Sequence, residues 1–212
     1  MIKVERSAKP SILEEKAEIW LEELQAAPPE SKKTIQKRYA EPEVRAALEE
    51  MFHDKCAYCE SHVSHVTTAH IEHFRPKGKP EFEHLTFEWE NLLLACPDCN
   101  SKHKKDQFPE DADGGPLINP CEEEPSEHFS FVFENGFASV YGKTRRGECT
   151  EILLKLNRVK LRRYRSSRLE FVHKISKKVV LDSDDLAFLE NARLSASDFS
   201  AFARRLYTDL QL

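Results

Sequence analysis

The stretch CAYCESHVSHVTTAHIEHFRPK, residues 56–77, decides how the rest of the chain is read. It opens on a CxxC pair, Cys56 and Cys59, and ends on an acid–histidine pair, Glu72–His73, followed by Phe74, Arg75 and Pro76. After thirty-six intervening residues comes a second CxxC, Cys96 and Cys99, with Asn100 directly behind it. Four thiolates on two such knuckles offer the closed tetrahedral set that suits structural zinc. A disulfide framework fits less well, because Cys121 and Cys149 stand alone and the opening MIKVERSAKPSILEEK has no apolar signal-peptide core. Those two cysteines read as small buried residues rather than nucleophiles.

Consecutive residues of a strand point to opposite faces, so Glu72 and His73 can share a pocket only if the strand ends there. Phe74-Arg75-Pro76 supplies that end. His70 lies two residues before Glu72 and shares its face, which suits a supporting role. A helix starting near Cys99 or Asn100 is expected to lay Asn100, His103 and Lys104 on one face. Zinc with four thiolates carries a charge of about −2, and Lys55, Lys102, Lys104 and Lys105 are close enough in sequence to offset it. Arg75, Lys77, Lys79 and Lys102 are candidates for gripping phosphates. His62 and His65 read as exposed loop residues, and His53, His84, His128 and His173 as structural or exposed.

Working outward, the spacing of Ile12, Leu13, Ala17, Ile19, Trp20 and Leu24 predicts an amphipathic helix over 10–26, ended by Pro28 and Pro29. A second helix follows from about Lys32 to Tyr39, and a third starts at Pro42 and delivers the chain to the first knuckle. FPEDADGGPLINPCEEEPSEH reads as an irregular connector over the surface. FSFVFENGFASVYG alternates around Asn135-Gly136, the mark of a hairpin. The remainder reads as helical from Thr150 to Val180, with a break at LDSDD and a further helix. Trp20 and Trp89 read as anchors. Three segments result: N-terminal helices over 1–40, a possible partner-binding part; a core over 41–110; and connector, hairpin and basic helices over 111–212.

The formal net charge is −5, but thirteen Lys and Arg face three acids between Gly142 and Lys178, giving +10 there and −15 elsewhere. Such polarity predicts a basic face for phosphate and an acidic surface for a protein partner. No apolar run reaches the eighteen or so residues of a membrane span, so the chain reads as soluble and cytoplasmic.

The order CxxC, Glu72–His73, Asn91–Leu92, CxxC–Asn100 resembles the zinc-stapled HNH endonucleases of the ββα-metal fold, over roughly residues 53–106. The resemblance implies an α+β chain, mainly helical, with a central zinc-stapled ββα-metal motif and a small β-hairpin. It gives His73 the role of general base and makes Glu72 and Asn100 ligands of one Mg²⁺ or Mn²⁺, with His103 a further candidate ligand. Asn91 would orient the loop holding His73. Glu at 72 replaces the commoner Asp, and His103 stands where many members have Lys. Beyond the motif, PLINPCEEEPSEHFSFVFENG and CTEILLKLNRVKLRRYR are similar to HNH nuclease subunits of Septu-type antiphage defence, including retron-linked ones. That likeness implies a PtuA-like ATPase partner of the ABC or SMC-like class, a retron reverse transcriptase with its msDNA in some systems, and DNA or tRNA as substrate. The alternative is a noncatalytic zinc module that binds nucleic acid or protein, and a further one is an RNA-cleaving toxin.

Overall fold

The computed structural model describes residues 1–63 and 67–210; His65 lies outside them. At its centre, β1 (His70–His73) pairs antiparallel with β2 (Leu92–Ala95), His70 opposite Ala95 and His73 opposite Leu92. All four residues of β2 are buried, which is why the strand is a continuous apolar run rather than an alternating one. β1 stops at His73, as the downstream Phe74-Arg75-Pro76 predicts.

Three helices lead into this sheet: α1 (Ser11–Ala26), α2 (Pro29–Gln36) and α3 (Pro42–Phe52). α1 buries Leu13, Ala17, Trp20 and Leu24, the expected stripe, whereas Ile19 is 47% exposed and lies off it. α1 stops at Ala26, with Ala27 extended ahead of Pro28 as expected, and Pro29 opens α2, where a missing N–H costs nothing. A 3₁₀ turn over Lys37–Ala40 then brings Tyr39 to the end of β1. α3 packs on β2 and ends in two left-handed residues, His53 and Asp54, which turn the chain into the first knuckle.

After the second knuckle, the expected α-helix is a π-helix over Asp98–Lys104, closed by a Lys105 N–H bond to the Asn100 carbonyl at 2.8 Å. A helix wound on i→i+5 bonds turns less per residue than an α-helix. A residue four positions on therefore returns near the starting face, and one three positions on does not.

The connector differs from its expectation too. Leu117, Ile118 and Asn119 have no exposed surface, so this tract dives into the core before the short α4 (Pro125–His128). The hairpin β3 (Phe129–Glu134) and β4 (Phe137–Gly142) forms as expected, with positive φ at both Asn135 and Gly136, the geometry of a type I′ turn. The predicted helix from Thr150 onward is two helices, α5 (Arg145–Leu153) and α6 (Val159–Ser176). Between them Lys155 takes a left-handed φ of 47°, and the Asn157 side chain bonds both backbone groups of Val140. Those bonds tie the junction to β4, and no continuous helix could make them. α7 (Ser183–Ala192), capped by Asp182, and α8 (Ser200–Asp209) pack on α6.

Buried residues from all three segments join one hydrophobic cluster. Trp20 meets Phe87 edge to face at 5.6 Å, and Trp89 is 1% exposed with its Nε1–H donated to the Ser7 carbonyl, so the tryptophans anchor α1 and the segment before it to the centre. Among the described residues, no helix is long and apolar enough to cross a membrane.

Candidate active site

Cys56, Cys59, Cys96 and Cys99 bring their sulfurs within 4.8 Å of one another. A zinc–sulfur bond of about 2.3 Å in a tetrahedron sets the sulfurs about 3.8 Å apart. Cys59 and Cys96 stand at 3.9 Å, so the set fits a zinc ion as the spacing predicts. Three of the four lysines expected to offset the thiolate charge have other partners. Lys55 donates to the Ser197 carbonyl, Lys102 lies 3.6 Å from Asp98, and Lys104 is committed elsewhere. A cation that does reach the sulfurs is Arg158, just before α6, with Nη1 3.6 Å from Cys99 Sγ and Nη2 3.9 Å from Cys96 Sγ. It lies fifty-nine residues from the nearer of these cysteines, too far for spacing to reveal.

Glu72 and His73 sit at the end of β1, 3% and 4% exposed, and both line one cavity of about 470 Å³ with Asn100. His73 Nε2 is 2.9 Å from the Thr86 carbonyl. A carbonyl only accepts, so Nε2 carries the proton and Nδ1 keeps its lone pair. Burial first, and then the nearby Lys77 ammonium, push His73 down to about 3, so the imidazole is neutral at ordinary pH. Glu72 is held above the usual carboxylate range by burial, against the pull of the Lys104 ammonium. Its Oε1 takes Lys104 Nζ at 2.6 Å and the Tyr58 hydroxyl at 3.3 Å. Its Oε2 has no hydrogen-bond partner among the described residues.

Asn91 clips the loop that follows His73. Its Oδ1 accepts from Arg75 N at 2.8 Å, and its Nδ2 donates to the Arg75 and Leu85 carbonyls at 3.0 and 3.1 Å. His70 also lines the cavity and bonds the Ser101 hydroxyl through Nδ1 at 3.1 Å. His103 does not join this group. It lines a separate cavity with Lys102, Lys105, Gln107 and Lys155, because the π-helix turns it away from Asn100. Of the four candidate phosphate cations, Lys77 lines the main cavity. Arg75 is exposed with its guanidinium 5.9 Å over Phe108, Lys79 is 3.8 Å from Glu81, and Lys102 extends from the surface.

The HNH endonuclease family profile matches residues 56–106, which span both knuckles and everything between them. Over that segment the chain resembles the HNH endonucleases. It is 34% identical over 194 residues to Septu protein PtuB of Bacillus mycoides (strain KBAB4), covering 76% of this chain and 64% of that one. It is 32% identical over 125 residues to Septu protein PtuB of Bacillus thuringiensis, covering 57% and 44%. Septu protein PtuA of Bacillus mycoides (strain KBAB4) is 29% identical over 136 residues, covering 52% of this chain and 18% of that one. The chain thus spans less than two thirds of the length of these relatives.

The cavity is not built by the HNH segment alone. Tyr39 and Arg45, from the helices before it, form part of its wall, and Tyr39 meets the His73 ring edge to face at 4.5 Å. Lys77 Nζ lies 4.8 Å over the opposite partner in that stack, the Tyr39 ring. Sequence reasoning missed Tyr39, Arg45, Tyr58, Thr86 and Arg158. Tyr39, Arg45, Tyr58 and Arg158 read locally as ordinary aromatic or basic residues, and Thr86 contributes a backbone carbonyl that carries no sequence signal.

Proposed function

We propose that this chain is a metal-dependent endonuclease hydrolysing phosphodiester bonds, the effector of a Septu-type defence complex. The observation that carries the reading is that Glu72 and His73, neighbours in sequence, both open onto one cavity with Asn100, with His73 Nδ1 left free. In this reading Nδ1 takes a proton from the attacking water, and the Thr86 carbonyl holds the ring in the competent tautomer. Asn91 fixes the loop behind it. Glu72 Oε2 and the Asn100 carboxamide offer the hard oxygen donors that Mg²⁺ or Mn²⁺ takes. Such an ion, when bound, stabilises charge on the leaving oxygen. Lys77, with Arg75, Lys79 and Lys102 farther out, holds substrate phosphates, and DNA is favoured over tRNA as substrate.

The likeness to PtuB proteins supports a PtuA-like ATPase as partner, reached through the acidic outer face of α1, where Glu14, Glu15, Glu18, Glu22 and Glu23 are exposed. The complex is cytoplasmic in this reading, and retron-linked forms would add a reverse transcriptase with its msDNA. Co-expression with a PtuA-like ATPase and size-exclusion chromatography test the partner; independent elution counts against it. The chemistry is tested by incubating the chain with plasmid and with purified tRNA in Mg²⁺ or Mn²⁺. Cleavage should vanish in His73→Ala while folding and zinc content persist. Undiminished cleavage in that variant discards the mechanism.

A further inference from the structure

Lys104 has no exposed surface at all, and its ammonium touches both residues of the acid–histidine pair. It lies 2.6 Å from Glu72 Oε1 and donates to the His73 carbonyl at 2.9 Å. We propose that Lys104 is a positioning residue of the active site, fixing the Glu72 carboxylate and the His73 main chain so that two adjacent side chains face one cavity.

The argument starts from the strand. Side chains at 72 and 73 would point apart in regular β structure, yet both line the cavity at the strand's end, where His73 still pairs with Leu92. The His73 carbonyl, on the last residue of the strand, is held by Lys104. The same ammonium, with the Tyr58 hydroxyl, occupies Oε1 and so leaves Oε2 as the oxygen for the cavity. A carboxylate without this tether could present either oxygen, or fold back on its own strand. The π-helix makes the reach available, since Lys104 follows Asn100 by four residues and returns near its face. One helix thus supplies Asn100 to the cavity and Lys104 to the strand behind it.

The proposal rests on the nuclease reading, so its test has one arm in cleavage and one outside it. Mg²⁺ demands near-ideal octahedral geometry and suffers most from a displaced carboxylate. Lys104→Met, of similar volume, should lower the Mg²⁺-supported single-turnover rate about 100-fold, and the Mn²⁺-supported rate about tenfold less than that, with zinc content unchanged. Lys104→Arg, which keeps charge and donors, should recover most of the Mg²⁺ rate. Equal loss with both ions, or no loss, overturns the proposal. In the second arm, thermal midpoints are compared for Lys104→Met, Glu72→Gln and the pair. Removing the Glu72 charge should restore much of the midpoint lost in Lys104→Met, and additive losses overturn the coupling. If the wild type cleaves with neither ion, the nuclease reading falls by itself, and this second arm still decides whether Lys104 holds Glu72.

Discussion

His73 owes its charge state to burial more than to any partner, and this has a measurable consequence. Its folded value of about 3 lies below the ordinary 6.5, so between these pH values the unfolded chain binds a proton that the folded chain refuses. The stability from its neutral burial is whole above pH 6.5 and drains away as pH falls toward 3. Glu72, raised by burial, works in the opposite direction and is common to both proteins in a comparison. At pH 5 the His73 share is about 2 kcal/mol. His73→Asn should therefore lose about 2 kcal/mol less unfolding free energy than wild type between pH 7 and pH 5, read by urea titration. Equal losses would mean that the imidazole is not buried neutral. At this scale the four cysteines were legible from their spacing, and Glu72, His73 and Asn91 were singled out by the resemblance to HNH endonucleases. The sequence was silent on Thr86, whose contribution is a backbone carbonyl that any residue could supply.

At the scale of elements, periodicity served where the helix was an ordinary one and misled where it was not. α1 and α3 were legible from their apolar stripes and prolines, and the β3–β4 hairpin from Asn135-Gly136. The helix after the second knuckle read as α, and on that winding His103 would have stood beside Asn100. The π winding sends it to another cavity, and the short polar run DCNSKHK carries no apolar stripe from which the period could be counted. Arg158 shows the same limit over a longer span, since its meeting with the sulfurs depends on the α5–α6 break. Losing a residue that supports metal ligands typically costs tenfold or more in metal affinity. Arg158→Met should release zinc to a competing chelator at about tenfold lower chelator concentration than wild type. Unchanged release would assign the guanidinium to Asp98, which lies 3.4 Å from its Nε, rather than to the thiolates.

Over the whole molecule, charge counting gave the right sum and an incomplete picture. Of the thirteen cations between Gly142 and Lys178, Arg165 is 1% exposed and bonds the Ala138 carbonyl, Arg146 pairs with Glu123, and Arg158 faces the sulfurs. Lys155, Lys160, Arg163 and Lys177 are among those exposed on the surface. A linear count cannot separate a guanidinium that holds the fold from one that meets a ligand. The N-terminal helices carry structure as well, because Trp20 and Tyr39 pack against Phe87 and His73. A chain beginning at residue 41 should melt at a markedly lower temperature than the full chain and lose cleavage even without any partner. Should it melt with the full chain and still cut, α1 and α2 would be appendages.

The guanidinium at position 158 links the two ends of the chain's chemistry. Damage far along α6 should surface as missing metal, and stripping the metal should loosen helices that never touch it. Zinc stoichiometry in a purified batch is thereby a gauge of whether the C-terminal third has folded.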